Sequence, residues 1–131
     1  MTDVTFRRAV LDDLPGIVAM LADDELGSQR EDASVPLNSR YTYSFDAINK
    51  DENQQLIIVE VDQAPAGCLQ LTFIPGLSRL GMWRGQIESV RVAADYRGRG
   101  LGREMFEWAI AECRRRGCGL VQLTTDKDRA D

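Results

Sequence analysis

The chain has 131 residues, room for one domain over 1–131, and 44% hydrophobic residues to fill a single core. Its net charge is −5 with 28% charged residues, which excludes a disordered chain, and no apolar run approaches the roughly 18–20 residues of a membrane span. Histidine is absent, which removes Ser-His-Asp hydrolysis, Cys-His proteolysis and His-ligated metal sites.

The N-terminus lacks the basic start and apolar stretch of a secretory signal, so the expected compartment is the cytoplasm. Val4 to Arg8 alternates as a first strand. Asp12 or Asp13 caps a helix in which Leu14, Ile17, Val18 and Leu21 recur at helical spacing, with Pro15 in the first turn, where its missing N–H costs little. Residues 22–43 read as a loop or a broken second helix, and Ser44 to Asn53 as a short helix. Leu56 to Val61 is the strongest strand signal. A turn over Asp62 to Gly67 and a return strand from Cys68 to Ile74 follow, then a third strand from about Trp83 to Val92, giving an antiparallel meander. A helix ending near Arg116 carries the apolar stripe Phe106, Ala109, Ile110 and Cys113. Leu120 to Thr125 reads as a strand parallel to the one before that helix, completing a β-α-β unit. Trp83, Met82, Phe73 and Trp108 read as packing residues. Cys68, Cys113 and Cys118 contain no C-x-x-C pair, so reduced thiols are expected rather than a disulfide framework or a zinc site.

The junction between strand and long helix carries the chemistry. Gly98, Gly100 and Gly102 allow positive φ and close approach to a ligand. Free N–H groups at the helix start, with the helix dipole, favour an anion, and Arg97, Arg99 and Arg103 add positive charge. The physical reading is a pyrophosphate cradle. It is not a P-loop, because no Lys-Ser or Lys-Thr follows, and not a dinucleotide fingerprint, because Arg103 stands where a glycine is required. Charge is divided along the chain. Residues 1–64 carry five basic against 13 acidic residues, and residues 65–131 carry 11 against eight. This division suggests two ligands of opposite charge. Arg114-Arg115-Arg116 suits the dipole at a helix C-terminus, and no nucleic-acid partner is expected.

The segment Arg97-Gly98-Arg99-Gly100-Leu101-Gly102 resembles the R/Q-x-x-G-x-G/A motif of the GNAT superfamily of acetyl-CoA-dependent N-acetyltransferases. Ile87 to Val92, with Asp95-Tyr96, resembles that family's fourth strand and its exit, and the element order fits along the whole chain. The resemblance implies an α/β fold with a mixed sheet, an antiparallel meander followed by the β-α-β unit. It implies acetyl-CoA as co-substrate, with no metal. The backbone amides of Arg97, Gly98, Arg99, Gly100, Leu101 and Gly102 would hold the pyrophosphate, and Arg103 would extend the patch. The family's fourth and fifth strands splay, leaving the backbone of Val90, Arg91 and Val92 to pair with the pantetheine arm. The Val90 amide would meet the thioester carbonyl as oxyanion donor.

An amine acceptor must lose a proton, and Glu88 is the candidate base, acting through water. By strand alternation it shares a face with Val90 and Val92 if no bulge intervenes, and Gln86 shares that face and is placed to order water. The alternative is a structural ion pair of Glu88 with Arg79, Arg84 or Arg91. The expected acceptor is a small primary amine, cationic or polar, meeting the acidic Asp23, Asp24, Glu25, Glu31 and Asp32. Family members usually continue past the fifth strand into a helix and two strands, and that helix commonly carries a tyrosine acid. Here no tyrosine follows Tyr96, so those elements are expected to be missing and the acid stays unassigned. A homodimer that completes the sheet is the expected assembly. The alternatives are a non-catalytic acyl-CoA-binding or regulatory module, and an enzyme acetylating protein N-termini or lysines.

Overall fold

The computed structural model describes residues 3–124. In chain order the elements are β1 (Val4–Arg8), a 3-10 turn (Leu11–Asp13), α1 (Leu14–Ala22), α2 (Glu25–Arg30), α3 (Ser39–Lys50), β2 (Gln54–Val61) and β3 (Ala64–Ile74). The four-residue α4 (Ser78–Gly81), β4 (Arg84–Val92), a second 3-10 turn (Ala94–Tyr96), α5 (Leu101–Arg115) and β5 (Leu120–Leu123) follow. The strands form one sheet in the order β1-β2-β3-β4-β5, antiparallel from β1 to β4 and parallel between β4 and β5. This is the expected mixed α/β architecture. No helix among the described residues is long and apolar enough to cross a membrane.

The boundaries differ from the sequence reading where caps and turns outweigh periodicity. The stretch 22–43 contains α2, capped by the Asp24 carboxylate on the Gly27 amide, and α3 starts at Ser39 because the Asn38 side chain accepts from the Arg40 amide at 2.9 Å. The β2–β3 turn is only Asp62-Gln63, both left-handed at φ 50° and 71°, so Pro65 and Gly67 lie inside β3. The last strand ends at Leu123, and the expected Thr125 lies outside the described residues.

Two apolar layers flank the sheet. On one face Leu101, Met105, Ala109 and Cys113 of α5 pack on Ile57, Val59, Leu69, Leu71, Phe73 and Ile87. Trp108 is a packing residue as expected, stacked on Phe6 at 4.8 Å between ring centroids. On the other face Leu14, Ile17 and Phe45 cover Ile58 and Cys68. Gly85 sets how closely α5 can approach, because a Cβ there would stand 2.4 Å from Cys113 Sγ. Arg7 ties β1 to the start of α1 and to β2, through Asp13 at 2.8 and 2.9 Å and Glu60 at 3.2 Å.

Candidate active site

The site begins with an irregularity in β4. Glu88 pairs with Gln70 and Arg91 with Cys68, so Ser89 and Val90 together oppose Leu69. Ser89 absorbs the extra residue with φ 55°, a left-handed conformation that is costly for a side chain other than glycine. This bulge corrects the alternation argument. Glu88 and Gln86 lie on the sheet face shared with Gln70 and Cys68, whereas Val90 and Val92 pack toward α5. Glu88 therefore does not share a face with Val90 and Val92. Arg91 returns to the Glu88 side.

Beside the bulge lies the edge of β4 that faces β5. The ladder between β4 and β5 covers only Arg84 to Ile87 against Leu120 to Leu123, and its last link is Thr124 N–H to the Ile87 carbonyl at 3.0 Å. The described residues end at Thr124, and among them no strand pairs with that edge of β4 from Glu88 onward. Two arginines occupy the carbonyls there. Arg91 Nη1 donates to the Val90 oxygen and Arg97 Nε to the Val92 oxygen, each at 3.0 Å.

The glycine loop continues from that edge. Gly98 and Gly100 have φ of 77° and 80°, with no atom within 4 Å of a built Cβ, so glycine is needed there for conformation and not for space. Gly102 departs from expectation: it lies inside α5 without positive φ, its Cβ position 3.9 Å from Val92. The Arg97 amide also departs, since it already donates to the Ala94 carbonyl at 3.4 Å. The first bond into α5 runs from Glu104 N–H to the Gly100 carbonyl at 3.2 Å. Among the described residues, no acceptor meets the amides of Gly98, Arg99, Gly100, Leu101, Gly102 or Arg103. Buried Leu101 anchors this row of donors to the core. Donors pointing out of a helix N-terminus make a ready anion site.

The charges around the loop are less uniform than the sequence suggests. Arg97 is turned to Asp23 at the end of α1, 3.1 Å away, and joins the basic loop to the acidic segment. Arg99 lies over the Tyr96 ring at 5.7 Å, and Arg103 is exposed. Four of the five acidic residues expected to meet the acceptor already have partners within the protein. Asp23 holds Arg97, Asp24 caps α2, and Glu31 accepts from Tyr41 Oη at 2.6 Å. Asp32 accepts from Ser34 and Asn38, which hold its carboxyl below the usual range.

Glu88 is half-buried and accepts from Gln86 Nε2 at 3.1 Å. Among the described residues it is bonded by none of Arg79, Arg84 or Arg91. The thiols offer no competing nucleophile, because burial pushes Cys68 up to about 12 and Cys113 to about 11. Sequence reasoning missed the Ser89 bulge and the Arg97–Asp23 pair. Serine carries no left-handed signal, and the partners of the pair stand 74 residues apart.

Residues 19–131 match the Acetyltransferase (GNAT) family. No protein of curated function matches the chain. A transcriptional regulator from Bacillus halodurans C-125 is similar at 46% identity and a TM-score of 0.92, over 97% of this chain and 85% of that one. Glucosamine-6-phosphate N-acetyltransferase from Arabidopsis thaliana shares the fold at 21% identity and a TM-score of 0.76, over 96% and 84% of the two chains. A predicted acetyltransferase with acetyl-CoA from Clostridium acetobutylicum does so at 17% identity and a TM-score of 0.72, over 95% and 82%. With residues 19–131 matched and the glycine loop, bulged β4 and parallel β5 in place, the chain belongs to the GNAT family of acetyltransferases, whose acyl donor is acetyl-CoA.

Proposed function

We propose that the protein transfers an acetyl group from acetyl-CoA to a small primary amine by direct attack on the thioester. The observation that carries this reading is the row of unmet amides at the start of α5, directly after the bulged β4. The amides of Gly98 to Gly102 would take the pyrophosphate, with Arg103 alongside. The pantetheine arm would run along Val90, Arg91 and Val92. Its amide groups would replace the arginine donors now on the Val90 and Val92 carbonyls. The Val90 amide would meet the thioester oxygen as negative charge develops there.

The amine nitrogen forms a bond to the acetyl carbon, the C–S bond breaks, and coenzyme A leaves as thiolate. The proton lost from nitrogen passes through water to Glu88, and the thiolate takes its proton from solvent. Because the bulge sets Glu88 and Val90 on opposite sides of β4, the base stands across the strand from the residue that polarises the thioester. Water spans the difference. Replacement Glu88→Gln keeps shape and hydrogen bonding and removes basicity. It should lower kcat/KM by roughly 10²–10⁴-fold with acetyl-CoA affinity unchanged by calorimetry. Wild-type kcat/KM with the same pH profile in Glu88→Gln would remove Glu88 from the mechanism.

A further inference from the structure

The face of the sheet that carries Glu88 changes character along its width. Under α1 and α3 it is apolar, with Ile58 and Cys68 buried. Toward β4 and β5 it becomes a continuous band of neutral polar side chains. Gln70 stands opposite Glu88, Thr72 opposite Gln86, and Gln122 opposite Gln86 on its other side. Gln54, on β2, accepts from Gln70 Nε2 at 3.1 Å and from Thr72 Oγ1 at 3.0 Å. Gln122 Nε2 donates to Gln86 Oε1 at 3.3 Å, and Gln86 Nε2 donates to Glu88 Oε1 at 3.1 Å.

Four strands thus contribute amides and a hydroxyl to one band around the Glu88 carboxylate, with Arg84 and Arg91 flanking it along β4 on the same face. All but the exposed Gln122 are partly buried, with side-chain-to-side-chain bonds fixing their directions. An amide presents both a donor and an acceptor. A band of them pairs with a hydroxyl or amide on a ligand, and loses water without replacement when an alkyl group covers it. It also sits beside the carboxylate that the proposed mechanism uses, so the part of the acceptor next to its amine meets it first.

We infer that the Gln54–Gln70–Gln86–Gln122 band selects the acceptor, favouring amines whose neighbouring group is a neutral hydroxyl or amide over alkylamines of the same size. This rests on the acetyltransferase reading above. It is tested by measuring kcat/KM with acetyl-CoA for matched acceptors: ethanolamine and glycinamide against propylamine and butylamine. The wild-type chain should prefer the first pair by at least about tenfold, since a site built to hydrogen-bond rejects the analogue that lacks the group. Gln70→Leu and Gln122→Leu should each bring that ratio toward one. Unchanged circular dichroism and unchanged acetyl-CoA affinity would show that the fold and the donor site persist. Acetyl transfer with equal kcat/KM across the wild-type panel would overturn this inference and leave the acetyltransferase reading standing. A preference that survives both variants would also overturn it. No transfer to any amine, despite acetyl-CoA binding, would overturn the proposed amine acceptor and this inference with it.

Discussion

Substituting Gly100 isolates the charge logic of the glycine loop. The residue has φ 80° and ψ 7°, and no atom lies within 4 Å of its built Cβ. Any side chain there carries a left-handed penalty of about 1 kcal/mol, least for Asn and Asp, and meets no steric clash. Gly100→Asn and Gly100→Asp share that penalty and differ by one charge. In the free protein the Asp carboxylate gains roughly 0.3–1 kcal/mol from the N-terminus of α5, so the two variants should melt within a few degrees of one another. A bound pyrophosphate of charge near −2 reverses the sign. At about 5 Å and an effective dielectric of about 40–80, the added carboxylate costs roughly 2–3 kcal/mol, or about 30–150-fold in Kd. Isothermal titration of acetyl-CoA at low salt reads the difference directly. At about 1 M salt, where the screening length falls to about 3 Å, it should shrink to a few-fold. Equal affinities of the Asn and Asp variants at low salt would refute the placement of the pyrophosphate over this helix start.

Gly85→Ala should cost roughly 1–3 kcal/mol, because its Cβ would stand 2.4 Å from Cys113 Sγ and α5 would have to lift. Thermal melting checks this, and adding Cys113→Ala should recover part of the loss. The Arg115 guanidinium, followed by the Gln55 amide, holds the Glu112 carboxyl down to about 2, from an ordinary 4.5. Its contribution is therefore present above pH 4.5 and lost as pH falls from 4.5 to about 2. With Arg115 two-thirds exposed, solvent screening reduces that contribution to at most about 1 kcal/mol. Melting curves between pH 2 and 6 should show a steeper acid loss in wild type than in Glu112→Gln, and parallel curves would contradict the assignment.

The physics of the loop was readable in the sequence because it is local. Gly98 and Gly100 are glycines where positive φ is required, and the amides at the start of α5 lie unmet simply because a helix begins there. The two central strands were equally legible, since their apolar residues face cores on both sides. The short helices were not. Side-chain caps at Asp24 and Asn38 define α2 and α3, and their apolar content is too low to show a period.

At the site, sequence alone located the loop whose amides stand unmet at the start of α5, and Glu88 as a carboxylate on the strand before it. Tertiary structure decided which way Glu88 faces. Alternation predicts side-chain direction only while the ladder is regular, and the single left-handed residue Ser89 shifts the register so that Glu88 and Val90 part to opposite faces. Likewise only the fold joins Arg97 to Asp23, and gathers Gln54, Gln70, Gln86 and Gln122 from four strands into one band. Those contacts depend on strand register and sheet order, long-range quantities that no local stretch of sequence encodes.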